Sequence, residues 1–171
     1  MLDKLKNIRC IVLDIDGVLT DGTLLVMPGN LLLRTMNVKD GYAMQLAQKA
    51  GLDIVVISGG TTTEVRERLE KLGISSVFLS ETDKLARLKS LALENGWSPD
   101  TILFMGDDIP DVEVMKYVGF AACPSDAVSE VKAVATYISP RMGGKGCVRD
   151  IIEKTMKMQG KWTNDTDVPS I

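Results

Sequence analysis

A chain of 171 residues, 45% hydrophobic and 25% charged, has the size and balance of one globular domain. With 20 Lys and Arg against 23 Asp and Glu, its net charge of -3 argues against a nucleic-acid binder that works through a broad basic surface. Histidine is absent, which excludes Ser-His-Asp triads, histidine-based phosphatases and His-ligated zinc or iron sites together.

No apolar run approaches the ~20 residues of a membrane helix. The opening MLDKLKNIRC carries charges where a secretory signal has its apolar core, so a soluble, cytoplasmic domain is expected. Cys10, Cys123 and Cys147 form no CxxC pair, as suits reduced thiols rather than a disulfide framework. Cys10 sits in an apolar run and reads as a small core residue. If the chain is an enzyme, its chemistry rests on carboxylates, Lys, Ser and a hard metal.

In chain order, the first apolar run is IRCIVLDI at 8–15, a strand without clean alternation, as expected where both faces are covered. Next comes TLLVMPGNLLLRTM at 23–36, two short strand-like runs around Pro28-Gly29-Asn30, which signals a hairpin. It is apolar on both faces, and a solvated hairpin needs only one such face, so the second is expected to meet either its own domain or, the favoured reading, another subunit. A helix over 41–50 leads to a strand over 52–57. The segment 61–72 reads as a helix opened by the capping box Thr61-Thr62-Thr63-Glu64 and striped by Val65, Leu69 and Leu72. Strands over 77–79, 101–105, 119–122 and 136–138 then alternate with helices over 82–95, 110–118 and 127–133. Pro110 suits a first helical position. A final helix covers 148–159, and 161–171 is short, polar and read as a flexible tail. The body, 1–160, is one domain: α/β, with a mainly parallel sheet, helices on both faces and a hairpin flap at about 21–36.

In such sheets ligands gather beyond the carboxyl ends of the strands. The first strand ends in Asp14-Ile15-Asp16-Gly17-Val18-Leu19-Thr20, and the 101–105 run ends in Gly106-Asp107-Asp108-Ile109-Pro110-Asp111. If both strands are central, these carboxylates share a small space and repel one another unless a cation sits among them. All-oxygen ligands favour Mg²⁺. The second run ends in Ser58-Gly59-Gly60, a hydroxyl and backbone N–H groups before a helix, and Lys84 follows the third strand. Taken singly, Asp14 and Asp111 read as turn and cap residues, Ser58 as a turn residue and Lys84 as a solvated charge. The weight lies in their joint order.

DIDGVLTDG, ISGG, Lys84 and GDDIPD resemble the four motifs of the haloacid dehalogenase superfamily of phosphatases. NVKDGYAMQLAQKAG, RERLEKLGI, GGKGCVRD and MQGKW narrow the resemblance to the 3-deoxy-D-manno-octulosonate 8-phosphate (KDO 8-phosphate) phosphatases. The resemblance implies a Rossmann-like fold and a two-step phosphoryl transfer. In it Asp14 is the nucleophile, Asp16 the general acid and then base, and Ser58 and Lys84 neutralise phosphoryl charge. It implies that Mg²⁺ is held by the Asp14 side chain, the Asp16 backbone carbonyl and Asp107, with Asp108 and Asp111 acting through water or positioning Lys84. Substrate contacts are implied for Asp16, Asn37, Val38, Lys39, Asp40, Gly41, Gly59, Arg68 and Lys84. Gly60 and Lys39 depart from the pattern, where the relatives often carry Arg or Lys and Arg respectively.

Spacing adds that no cap domain fits. The 44 residues from Asp14 to Ser58 are used by the hairpin, one helix and one strand, and the 23 from Lys84 to Asp107 by one helix and one strand. A bare site admits water and reads its substrate poorly. The resemblance implies that a homotetramer closes it, with a neighbour's hairpin and the glycine-rich segment Arg141 to Arg149 lining the site. Three other readings compete: a phosphatase for a nonulosonate 9-phosphate (KDN or N-acetylneuraminate type), a catalytically silent tetramerising module of a sugar nucleotidyltransferase, and a receiver-type signalling domain. Receivers place the acceptor Asp after the third strand, against the first here. The KDO reading implies a place in lipopolysaccharide biosynthesis.

Overall fold

The structure, a computed structural model, describes residues 2–61 and 63–169. The apolar runs become strands and the periodic segments between them become helices. In chain order the strands are β1 (Cys10–Leu13), β2 (Leu25–Met27), β3 (Leu31–Leu33), β4 (Asp53–Ile57), β5 (Val77–Phe78), β6 (Ile102–Met105), β7 (Phe120–Cys123) and β8 (Tyr137–Ile138). The helices are α1 (Val38–Lys49), α2 (Thr63–Lys71), α3 (Lys84–Asn95), α4 (Val112–Tyr117), α5 (Ser129–Val134) and α6 (Cys147–Met158).

Six strands form one sheet in the order β5-β4-β1-β6-β7-β8, with every neighbouring pair parallel. β1 is central, buried at all four positions, and pairs with β4 on one side and β6 on the other. Side-chain alternation splits the core into two layers. Ile11, Leu13, Ile54, Val56, Leu103 and Met105 face a layer built with α1, α2 and α6. Cys10, Val12, Val55, Ile57, Ile102 and Phe104 face α3, α4 and α5. Each fully buried Leu, Ile or Phe contributes roughly 1.5–3 kcal/mol, so the two layers dominate the stabilisation.

Helix starts depart from the sequence expectation where a cap decides them. α1 begins three residues before position 41 because the Asn37 side chain accepts from the Lys39 N–H at 2.9 Å. α3 begins at Lys84 because Asp83 accepts from the Ala86 N–H, also at 2.9 Å. Thr62, inside the capping box expected at 61–64, lies outside the described residues. Among the described residues, the stretch between β1 and β4 holds a short helical turn at Ile15–Leu19, the hairpin and α1.

The hairpin pairs β2 and β3 antiparallel, and all six strand residues are exposed, Leu25 by 60% and Val26 by 70%. Residues 161–169, read from the sequence as a flexible tail, lie against α1. Tyr42 donates to the Asp165 carbonyl at 2.8 Å, Lys49 pairs with Asp165 at 2.6 Å, and Trp162 packs on the core. Ser170 and Ile171, the rest of that tail, lie outside the described residues. Among the described residues, no helix is long and apolar enough to cross a membrane.

Candidate active site

Because β1, β4 and β6 run parallel side by side, the chain segments that follow them emerge at one edge. A cavity of about 520 Å³ opens there, lined by Asp14, Asp16, Ser58, Gly59, Gly60, Lys84 and Asp107, together with Glu81, Thr82, Asp108 and Asp111.

Asp14 leaves β1 nearly buried. Its Oδ1 accepts from the Ile15 N–H at 2.7 Å and its Oδ2 meets Lys84 Nζ at 2.9 Å. Lys84 also donates to Asp111 Oδ1 at 2.7 Å, while Asp111 Oδ2 accepts from the Asp107 N–H at 3.0 Å. Asp111 is therefore the brace that aims the lysine at Asp14. Asp108 does a different job, accepting from the Ile109 N–H at 2.8 Å and capping the turn after β6. Burial opposes the charge on Lys84, but Asp14 and Asp111 together hold it above its ordinary value.

Oxygens of Asp14, Asp107 and Asp111 lie within 4.8 Å of one another. Burial, with the charge of Asp111, pushes Asp14 up to about 6 against the pull of Lys84. Burial and then the charges of Asp14, Asp111 and Asp108 push Asp107 up to about 7. Asp107 Oδ1 is buried without a hydrogen-bond partner among the described residues. Gly17, at φ +82°, lets Asp107 come close: a Cβ there would stand 1.9 Å from Asp107 Oδ2. An orphaned oxygen, crowded carboxylates and an approach open only to glycine fit a hard divalent cation held by Asp14 and Asp107. Asp111 spends both oxygens on Lys84 and backbone N–H groups, and the Asp16 carboxylate stands outside the cluster.

Thr20 braces the loop after β1. Its hydroxyl donates to the Ile15 carbonyl at 3.3 Å and accepts from the N–H groups of Gly22 at 3.2 Å and Gly17 at 3.4 Å. Ser58 is buried, and its hydroxyl accepts from the Gly60 N–H at 3.2 Å. Asp16 is 38% exposed and turned to Arg34, a residue missed in the sequence reading. The signal was there, since Arg34 is the one charge in the hairpin run 23–36.

The remaining expected substrate residues lie away from this cavity within one chain. Asn37 and Lys39 line a separate basic concavity of about 450 Å³ with Arg141, Lys145 and Arg149. Val38 and Arg68 line an apolar groove of about 420 Å³ beside Leu32, Leu33 and Arg34. Asp40 is buried and accepts from the Arg149 N–H at 2.6 Å, which makes it a cap for α6 in place of a free substrate ligand. Gly41 packs against Leu72, a Cβ there standing 3.2 Å from it. The segment 141–149, expected to fold over a neighbour, packs within its own chain: the Gly144 N–H donates to the Val18 carbonyl at 2.9 Å, and a Cβ on Gly143 would stand 2.0 Å from the Gly17 carbonyl oxygen.

The chain as a whole is similar to known proteins. The haloacid dehalogenase-like hydrolase family matches residues 74–149. The 3-deoxy-D-manno-octulosonate 8-phosphate phosphatase of Escherichia coli strain K12 is 31% identical over 161 residues, covering 94% of this chain and 86% of that protein. The crystal structure of the corresponding Moraxella catarrhalis phosphatase, in complex with magnesium, phosphate and KDO, superposes with a TM-score of 0.90 at 30% identity, covering 93% of this chain and 91% of that one. The cobalt-bound Haemophilus influenzae phosphatase gives 0.89 at 30% identity, with 92% of each chain covered.

Proposed function

The chain belongs to the 3-deoxy-D-manno-octulosonate 8-phosphate phosphatase family of haloacid dehalogenase-like hydrolases, and from that premise we propose that it hydrolyses KDO 8-phosphate to KDO and inorganic phosphate with Mg²⁺, through an aspartyl-phosphate. As a member it is a phosphoric monoester hydrolase. The observation that carries the mechanism is the pairing of buried Asp14 with Lys84 beside the orphaned Asp107 oxygen.

An Asp14 oxygen attacks phosphorus, and the bond from phosphorus to the sugar oxygen breaks. Asp16, more open to solvent than Asp14 or Asp111, gives that oxygen its proton. In the second half Asp16 takes a proton from water, the water oxygen bonds to phosphorus, and the bond from phosphorus to Asp14 breaks to release phosphate. Two anions approach each other only if the phosphoryl charge is neutralised. Lys84 supplies one positive charge, and the Ser58 hydroxyl reaches the same cavity. Mg²⁺, when bound by Asp14, Asp107 and the Asp16 backbone carbonyl, supplies Lewis-acid neutralisation.

Assembly belongs to the same reading. A homotetramer covers the exposed apolar hairpin, and it lets Asn37, Lys39 and Arg68, remote from the cavity in one chain, meet substrate in a neighbour's site. Through KDO supply the enzyme serves lipopolysaccharide synthesis in the cytoplasm.

The test is phosphate release from KDO 8-phosphate and from a nonulosonate 9-phosphate side by side, with Mg²⁺ and with chelator. A Mg²⁺-dependent preference for the eight-carbon acid is expected. Preference for the nine-carbon acid moves the substrate while keeping the chemistry, and release from neither overturns the proposal.

A further inference from the structure

Arg34 is the only charged residue among 22–38. The strands of its hairpin are exposed, whereas its own side chain is 5% exposed. It lines the apolar groove with Leu32, Leu33 and Arg68, and it is not among the residues that line the candidate active-site cavity. A charge drawn in from an apolar ribbon needs a partner, and Arg34 finds Asp16, which does line that cavity.

The form of the contact decides what it can do. Nε donates to Asp16 Oδ1 at 2.6 Å and Nη2 to Asp16 Oδ2 at 3.0 Å, while Nη1 donates to the Leu32 carbonyl at 3.3 Å. Paired bonds from one edge of a planar guanidinium fix the plane of a carboxylate as well as its place. An ionised carboxylate has about four acceptor sites, shared between its oxygens. Arg34 takes one site on each oxygen and leaves one on each for other partners. Asp14 is held differently, by the Ile15 N–H and Lys84. Asp16 stands on the loop beyond it, next to Gly17 at φ +82°, with its side chain 38% exposed. Its orientation comes from a side chain 18 residues further on.

Resting on the reading that Asp16 gives the leaving oxygen its proton, we propose that Arg34 is a positioning residue, which clamps the Asp16 carboxylate from outside the cavity and keeps its remaining oxygen sites turned to the leaving oxygen. Arg34 touches no substrate itself. The hairpin thereby takes part in the chemistry of its own chain. A bare latch between hairpin and loop would use the same ion pair for stability alone, and its loss would not distinguish one leaving group from another.

The experiment measures leaving-group release in a single turnover with Mg²⁺, on KDO 8-phosphate and on p-nitrophenyl phosphate, for wild type, Arg34→Lys, Arg34→Ala and Asp16→Asn. Arg34→Ala is expected to slow release of the sugar by about a hundredfold, the scale of an ångström's misplacement. Release of p-nitrophenolate, which departs without a proton, should slow far less. Arg34→Lys keeps the charge without the fork and should fall between wild type and Arg34→Ala. In an Asp16→Asn background, Arg34→Ala should add little to the loss on the sugar ester. Equal slowing of both esters by the Arg34 variants, no slowing of either, or a full further loss in the Asp16→Asn background overturns the proposal and leaves a latch. If Arg34→Ala fails to fold, Arg34→Lys and Arg34→Gln carry the same comparison. Equal slowing of both esters by Asp16→Asn itself removes the acid role, and the Arg34 proposal falls with it. A wild type inactive on KDO 8-phosphate sinks the substrate reading alone. The comparison is then made on the sugar phosphate that the wild type does hydrolyse, and hydrolysis of none overturns the Arg34 proposal too.

Discussion

The Asp40 carboxylate accepts a 2.6 Å hydrogen bond from the backbone N–H of Arg149, 109 residues further along the chain. Gly146, at the cap position of α6, has no side chain to satisfy that helix start, so the first turn of α1 does it instead. Burial pushes Asp40 up to about 6, partly offset by the N–H groups of Arg149 and Gly146. A carboxyl raised in the folded chain contributes most at low pH, and its contribution is lost as pH rises through the folded value. Asp40→Ala is expected to cost about 1–2 kcal/mol, as lost caps do. Asp40→Asn keeps an acceptor without the charge, so urea unfolding should show it gaining on wild type from pH 5 to pH 8. A wild type that gains on the Asn variant over that range contradicts this account.

Asp14 and Asp107 follow the same sign for a different reason. Their folded values, about 6 and about 7, exceed the ordinary 3.8, so without metal their contribution to stability is fullest at low pH and falls away toward neutrality. Mg²⁺ binds the ionised form, and its lift in melting temperature should be larger at pH 7.5 than at pH 5. In chelator at pH 7.5, Asp107→Asn should melt above wild type and respond little to added Mg²⁺. An equal lift at both pH values would break the link between burial and metal.

Asp14→Asn removes the proposed nucleophile while retaining an acceptor for the Ile15 N–H. Steady-state turnover should disappear, with the circular dichroism spectrum unchanged. Measurable turnover by this variant ends the nucleophile assignment.

Asp16→Asn should slow release of a sugar alkoxide far more than release of p-nitrophenolate, which departs without a proton. Single-turnover rates on both esters measure the difference, and equal slowing removes the acid role.

Gly17→Ala places a methyl 1.9 Å from Asp107 Oδ2 in a backbone conformation at φ +82°. The left-handed backbone alone costs about 1–2 kcal/mol, and moving Asp107 by an ångström should cost about a hundredfold in kcat. Kinetics across a Mg²⁺ titration test it; a variant with wild-type kcat and Mg²⁺ dependence refutes the close-approach argument.

The strands were legible because each is an apolar run, and Asp14, Ser58 and Lys84 because each follows where a run stops. The pairing of β1 with both β4 and β6 then brings Asp14 and Asp107 together, a meeting that parallel topology makes readable. The bond from the Arg149 N–H to Asp40 was not legible, because nothing local to NVKDG reveals that a helix start over a hundred residues away lacks a cap. Arg34 was missed although it is the lone charge in an apolar hairpin run, because its partner Asp16 lies 18 residues back. Sequence periodicity places a residue on a strand and does not say which loop its side chain reaches.

The contact of Gly143 and Gly144 with the backbone from Gly17 to Asp21 has a consequence for how the protein comes into being. Domains take shape as the chain emerges, starting from the amino end. By the time residue 111 has emerged, all the carboxylates of the candidate site and Lys84 exist. The wall behind the loop bearing Asp14 and Asp16 arrives only with residues 143 and 144, and α6 follows to hold that wall. A chain cut short between these points carries the full set of reactive groups on an unsupported loop, so competence for catalysis is among the last properties this sequence acquires.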